Sequence, residues 1–228
     1  MKTSYTKIRS PNIDKNKHPI FYDVDSHIAA GHNYYGVHEE NSVHEITHGV
    51  NGVLRIRYDK PSFYCLNDVI FVLENTKSTR LTHAQQFLPK DLIGDAYQHY
   101  MIEQRRSWDD YPLYIFDEWS AYINGVACIV ELIKSGNFVQ TDDTFRPTLG
   151  KMLQMAAYSA AIIAAVMTNE ADYDIIPVLE FWNYQYDRSI KLLSESNALK
   201  HRKLYDADHD IYLNKFLKSK LSRYKRSK

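Results

Sequence analysis

Residues 44–48 read His-Glu-Ile-Thr-His, and this spacing ties the local chain to a helix. On an α-helix, His44 and His48 leave the same face about one turn apart. Two neutral imidazole nitrogens placed that way can grip one Zn²⁺ at about 2.0–2.1 Å each. Glu45 is offset around the helix, within reach of a proton on metal-bound water without being a ligand itself. The flanks suit a helix beneath a cleft: Ser42, Ile46, Thr47 and Gly49 are uncharged, and Val43 and Val50 are apolar. Two plainer readings compete. The histidines can be ordinary members of a solvated face, and Glu45 stands at capping-box spacing from Ser42, so it can be a cap partner instead of a base.

Composition narrows the class. The chain has 228 residues, 25% of them charged and 44% hydrophobic, enough to bury a sizeable core in one domain. Lys+Arg and Asp+Glu both number 28, so no whole-protein field draws the chain to nucleic acid or to an anionic membrane. Cys65 and Cys128 have no metal-binding spacing and read as reduced, packed thiols. Residues 1–18 are polar and basic without an apolar core, so the expectation is a cytoplasmic protein, or one exported without a cleaved leader. The longest apolar run, residues 152–167, is interrupted by Gln154, Tyr158 and Ser159. It falls short of the roughly 20 residues of a membrane span and reads as a buried helix.

The order of patterns predicts a flexible arm over residues 1–19 and one domain over 20–228. After a short apolar start at Ile20, Phe21 and Tyr22 comes a mixed loop, then the histidine helix, capped by Asn41 or Ser42 and ending near Asn51-Gly52. Residues 53–58 alternate and read as a strand; residues 62–73 read as a hairpin around Asn67-Asp68. Further helices are predicted over 90–106, 113–135, 148–169, 177–196 and 209–224, with Pro112, Pro147 and Pro177 near three of the starts. The fold class is therefore α+β, predominantly helical, with a small antiparallel sheet or hairpin and about six helices.

Two histidines leave a catalytic zinc short of one protein ligand. A third histidine six residues after His48 is ruled out, because that position is Leu54. Glu118 is the leading candidate. It sits in Phe116-Asp117-Glu118-Trp119-Ser120-Ala121-Tyr122, and a carboxylate among such apolar neighbours is costly to bury unless it is paired or metal-bound. Ala121 and Gly125 would let a second helix come close. The plain alternative has Glu118 or Asp117 facing solvent or a basic side chain; Glu103, Glu131, His83 and His99 are the other ligand candidates.

His-Glu-Ile-Thr-His followed by Glu-x-x-Ala on a later helix resembles the gluzincin branch of the zincin metallopeptidases. The resemblance covers residues 42–50 and about 116–122. It implies a zinc peptidase in which His44, His48 and Glu118 hold Zn²⁺, Glu45 is the general base, and a small sheet lies above the metal helix. Glu118 follows His48 by 70 residues, wider than the thermolysin-like separation, so an inserted hairpin and helix are expected between them. Such a site needs a second donor for the oxyanion, and Tyr122, Tyr158, Tyr184, Tyr186 and His99 are candidates. The implied partner is a peptide or protein substrate, which the hairpin edge could hold by strand pairing.

Other signals carry less. His27, His32 and His38 read first as surface residues and second as another metal site. The basic segment 215–228 reads as a solvated helix end before it reads as an anion-binding surface. A di-iron carboxylate protein is a competing class, since Glu45-Ile-Thr-His48 is also Glu-x-x-His, but no second such pair follows Glu103, Glu118, Glu131 or Glu180. A helical binding or structural protein with a fortuitous or purely structural metal motif is the non-enzymatic alternative.

Overall fold

The most apolar predicted helix forms the centre of the molecule in the computed structural model, which describes residues 19–27, 39–88, 90, 93–136 and 142–198. This helix, α5 (Tyr114–Lys134), is buried at every position from Tyr114 to Leu132 except Asp117, Glu118 and Glu131. A helix that is apolar all round must be enclosed, and α5 is enclosed by four others. They are α1 (Pro19–Asp25), α2 (Glu39–Tyr58), α6 (Asp142–Asn169) and α7 (Ile176–Ala198). Three carboxylates are thus the only breaks in a buried helix.

The small residues of α6 allow it to pack closely along α5 and α7: Ala156, Ala157, Ala160, Ala161, Ala164 and Ala165 are all buried. Its stretch Thr148–Asn169 has the length and hydropathy of a membrane span, yet 83% of its most apolar window is buried inside the fold, as in a core helix. Aromatic rings close the rest of the core. Phe181 of α7 stacks on Phe116 of α5 with centroids 5.3 Å apart and meets Phe63 at 5.0 Å and Phe71 at 5.4 Å.

The predicted hairpin is present. Strands β1 (Ser62–Tyr64) and β2 (Ile70–Val72) pair antiparallel, Phe63 opposite Phe71. Its turn runs through left-handed backbone at Leu66, Asn67 and Asp68, an uncommon conformation for non-glycine residues. Asp23 of α1 holds it there, one oxygen accepting the Asn67 N–H and the other the Tyr64 hydroxyl. Between the hairpin and α5 lie α3 (Leu81–Gln85), a π-helical segment (Gln98–Glu103) and α4 (Arg105–Trp108). The described residues therefore form eight helices and one two-stranded sheet; α1 and α3 were not expected, residues 90–106 break into the π-helical segment and α4 instead of one helix, and the expected helix at 209–224 lies outside the described residues.

Four expectations are overturned here. Helix α2 does not end at Asn51-Gly52, and residues 53–58 are not a strand; α2 continues to Tyr58 and stops where Asp59 turns left-handed (φ 53°) before Pro61. Leu54 and Ile56 would share a face on a strand, yet Leu54 is 1% exposed and Ile56 83% exposed. Leu54 extends the buried row Val43, Ile46, Val50 at helical spacing, and that packing outweighs the turn preference of Asn-Gly. Nor does Asn41 or Ser42 cap the helix: α2 begins at Glu39, so Ser42 lies within it and its capping box with Glu45 does not form. Likewise α6 begins at Asp142, five residues before Pro147. The N-terminal arm up to residue 18, His32, His38 and the C-terminal helix at 209–224 lie outside the described residues, while Pro19 opens α1.

Candidate metal centre

Helices α2 and α5 form the principal helix pair of the fold, and their contact brings the three expected ligands together. The Nε2 atoms of His44 and His48 stand 3.1 Å apart, and Glu118 Oε2 is 3.6 Å from each. Donor atoms bound to one tetrahedral ion at about 2.0–2.1 Å are about 3.3 Å apart. The observed triangle matches that edge length within a few tenths of an ångström. Glu118 Oε2 is buried and has no hydrogen-bond partner among the described residues. Since an orphaned buried carboxylate oxygen is costly, this atom fits the part of a ligand awaiting a cation. The three residues form the candidate metal group among the described residues.

The second nitrogen of His48 is also engaged. Its Nδ1 lies 3.0 Å from Asp117 Oδ1, and the same oxygen accepts a 2.6 Å hydrogen bond from Asn51 Nδ2. With the Nδ1 proton directed at Asp117, the Nε2 lone pair of neutral His48 points at the centre of the triangle, the arrangement by which a carboxylate fixes a metal-bound histidine. Asn51 in turn accepts the backbone N–H of Tyr64 through Oδ1, fastening the hairpin to the same group. Asp117 lies in the first turn of α5, where a helix favours negative charge.

The electrostatics divide the histidine pair. Burial, with the charges of His48 and Lys151, holds His44 well below its ordinary pKa. Burial acts the same way on His48, but Asp117 and Glu118 outweigh it and lift His48 well above the usual value. The two rings thus differ in proton affinity, His48 being the one favoured by the carboxylates of Asp117 and Glu118.

Glu45 occupies the next position of α2 and is exposed. Of the expected oxyanion donors, Tyr122 is the one that reaches the site: its ring lies 4.5 Å from that of His44, edge-on. Burial pushes its hydroxyl up to about 12, with the charges of Glu118 and Glu45 contributing. Tyr158 bonds to Gln154, Tyr184 sits against Phe71, Tyr186 stacks on Trp182, and His99 pairs with Glu103 on the π-helical segment. The alternative ligands are also occupied elsewhere: Glu131 accepts the Ile20 N–H and His83 Nδ1 accepts the Arg80 N–H. His27 pairs with Asp68 at 3.1 Å, away from the triangle.

Three residues of the site were missed from sequence: Asn51, Asp117 as a histidine partner, and Tyr100. The Tyr100 hydroxyl lies 2.7 Å from that of Tyr122, and Tyr114 donates to the Tyr100 carbonyl. The only signal was Asp117 beside Glu118, since nothing in sequence separates Asn51 from a helix-ending Asn-Gly pair. No protein-family model, curated protein or solved structure matches this chain.

Proposed function

We propose that the chain is a zinc-dependent metallopeptidase of gluzincin type. One observation supports this above all: His44 Nε2, His48 Nε2 and Glu118 Oε2 meet at the spacing of a tetrahedral site. Two nitrogens and one oxygen form a ligand set suited to zinc, and three protein ligands leave one position for water or substrate.

When bound there, zinc supplies a Lewis acid that acidifies water and polarises a carbonyl group. The rest falls to the chain's own residues. His44 and His48 bind through Nε2, Asp117 keeps the His48 ring in orientation through Nδ1, and Glu118 provides the negative charge. Glu45 takes a proton from the attacking water on its carboxylate and returns it to the nitrogen of the leaving amine, so that one proton is moved and none is consumed. Tyr122, whose ring lies against His44, is the candidate donor to the oxygen of the developing tetrahedral carbon. A di-iron reading finds no support in this geometry, since Asp117 is turned to His48 Nδ1 and only one carboxylate enters the triangle.

The test combines metal content with one substitution. The full chain should purify with, or take up, one equivalent of zinc. Glu45→Gln should keep that zinc and lose cleavage of a fluorogenic peptide library by at least about a hundredfold. Retained zinc with no cleavage by wild type would leave a structural metal clamp; failure to bind zinc at micromolar concentration would end the reading altogether.

A further inference from the structure

A second polar centre lies on the other side of the hairpin, where Arg188 of α7 reaches into the fold beneath β1. Its Nη1 donates to Gln185 Oε1 at 2.7 Å and its Nη2 to Asn124 Oδ1 at 2.9 Å. The guanidinium carbon also sits 5.9 Å from the centre of the Tyr184 ring. All of these partners are neutral. The Cys65 thiol beside it is neutral too, because burial pushes its pKa up to about 12 against the pull of Arg188. None of the ion pairs among the described residues includes Arg188. Burial is the main force on this guanidinium, drawing it below its ordinary pKa.

Arg188 is half-buried, and a guanidinium taken even partly out of water gains from a counter-charge, since desolvating a cation costs more than a neutral hydrogen bond returns. Arg188 is instead held by two amides, the Cys65 sulfur and a ring, none of which brings a negative charge. A cavity of about 260 Å³ opens beside it, lined by Cys65, Asn67, Tyr184, Arg188, Lys191 and Glu195 among others. Lys191 adds a second positive charge one turn along α7. The single carboxylate, Glu195, is drawn to Lys134 at 2.7 Å and stands 3.9 Å from Lys191. The cavity is thus net positive and large enough for a small anion. It also touches Ala127, nine residues along α5 from Glu118 and so about 13 Å from the candidate metal centre by helical rise.

We propose that this cavity is an oxyanion-binding site, in which Arg188 forms a two-pronged contact with a carboxylate or phosphate group of a small ligand and Lys191 adds a point charge from the rim. The site stands on its own geometry and does not depend on the peptidase reading.

Calorimetric titration of the full chain with inorganic phosphate, and separately with acetate, at constant ionic strength tests it. One saturable equivalent is expected, and the tighter of the two anions identifies the ligand group. Lys191→Gln, at a side chain 77% exposed and so safe for folding, should weaken binding about twofold to fivefold. Arg188→Gln should abolish it. The Lys191 variant decides alone if the Arg188 variant does not fold. Absence of saturable binding for both anions, or affinity unchanged in Lys191→Gln, would overturn the proposal.

Discussion

Asp117 and His48 are joined through Oδ1 and Nδ1 at 3.0 Å, across the contact between α5 and α2. That bond turns the His48 ring so that Nε2, and not Nδ1, faces His44 and Glu118. In the proposed site this makes Asp117 a positioning residue one place before the candidate ligand Glu118. Asp117→Ala should leave all three ligands in place but free the ring, lowering zinc affinity about tenfold to a hundredfold. Competition with a chromophoric chelator measures this. Wild-type affinity in the variant would show that packing alone orients His48.

In the proposed site Glu118 supplies the third donor, and the energetic consequence of a bound ion is readable in thermal unfolding. A ligand present at about a hundred times its Kd stabilises the folded state by about 2.7 kcal/mol. For a chain of this size, that is an increase in Tm of about 5–10 °C. Wild type should gain this on adding zinc, and Glu118→Gln should gain little, because an amide oxygen is a poor substitute for an anionic ligand. An equal gain in both proteins would remove Glu118 from the site.

The cluster of His44, His48 and Glu118 was legible because its residues follow rules of spacing. His44 and His48 declare themselves by the helical period, and Glu118 by being a carboxylate in an apolar helix; in α5 the only residues not fully buried between Tyr114 and Leu132 are carboxylates. The hairpin was legible for a similar reason, with aromatic and β-branched runs flanking a turn pair. Asn51 was not. Its role depends on a hydrogen bond to a residue 66 positions away and another to Tyr64, which no local pattern encodes. The same blindness produced the false strand, since alternation over six residues fits a helix end whose Arg55 and Arg57 reach outward as well as it fits a strand. The break at residues 90–106 was hidden for another reason. The π-helical turn there places Tyr100 and Met101 in the core, a gain made by tertiary contacts, not by sequence preference.

The reassignment of residues 53–58 to α2 can be checked by two substitutions with opposite outcomes. Leu54 is buried against the core and Ile56 is exposed. Leu54→Ala should cost about 2–5 kcal/mol of stability, whereas Ile56→Ser should change it by less than about 0.5 kcal/mol. Equilibrium urea unfolding measures both. Similar losses at the two positions would restore the strand, on which both side chains share one face.

Glu170, at the end of α6, gives the fold a dependence on pH far from the metal centre. Its carboxylate accepts the backbone N–H groups of Lys77, Ser78 and Thr79, clamping the segment between β2 and α3. Burial alone would raise its pKa, but these hydrogen bonds outweigh it and hold the group below its ordinary value. A folded-state pKa below the unfolded one means stability that is fully present above the unfolded value and lost as pH falls through the folded one. Glu170→Gln keeps an acceptor but removes the charge, so it should cost about 1 kcal/mol at pH 7, the carboxylate's partial exposure limiting the figure. The gap between wild type and variant should then close as the pH falls through the folded-state pKa of Glu170, which lies below the ordinary glutamate value. Urea unfolding of both proteins from pH 7 down to pH 3 follows it; a gap that stays constant with pH would show that the clamp does not depend on the charge.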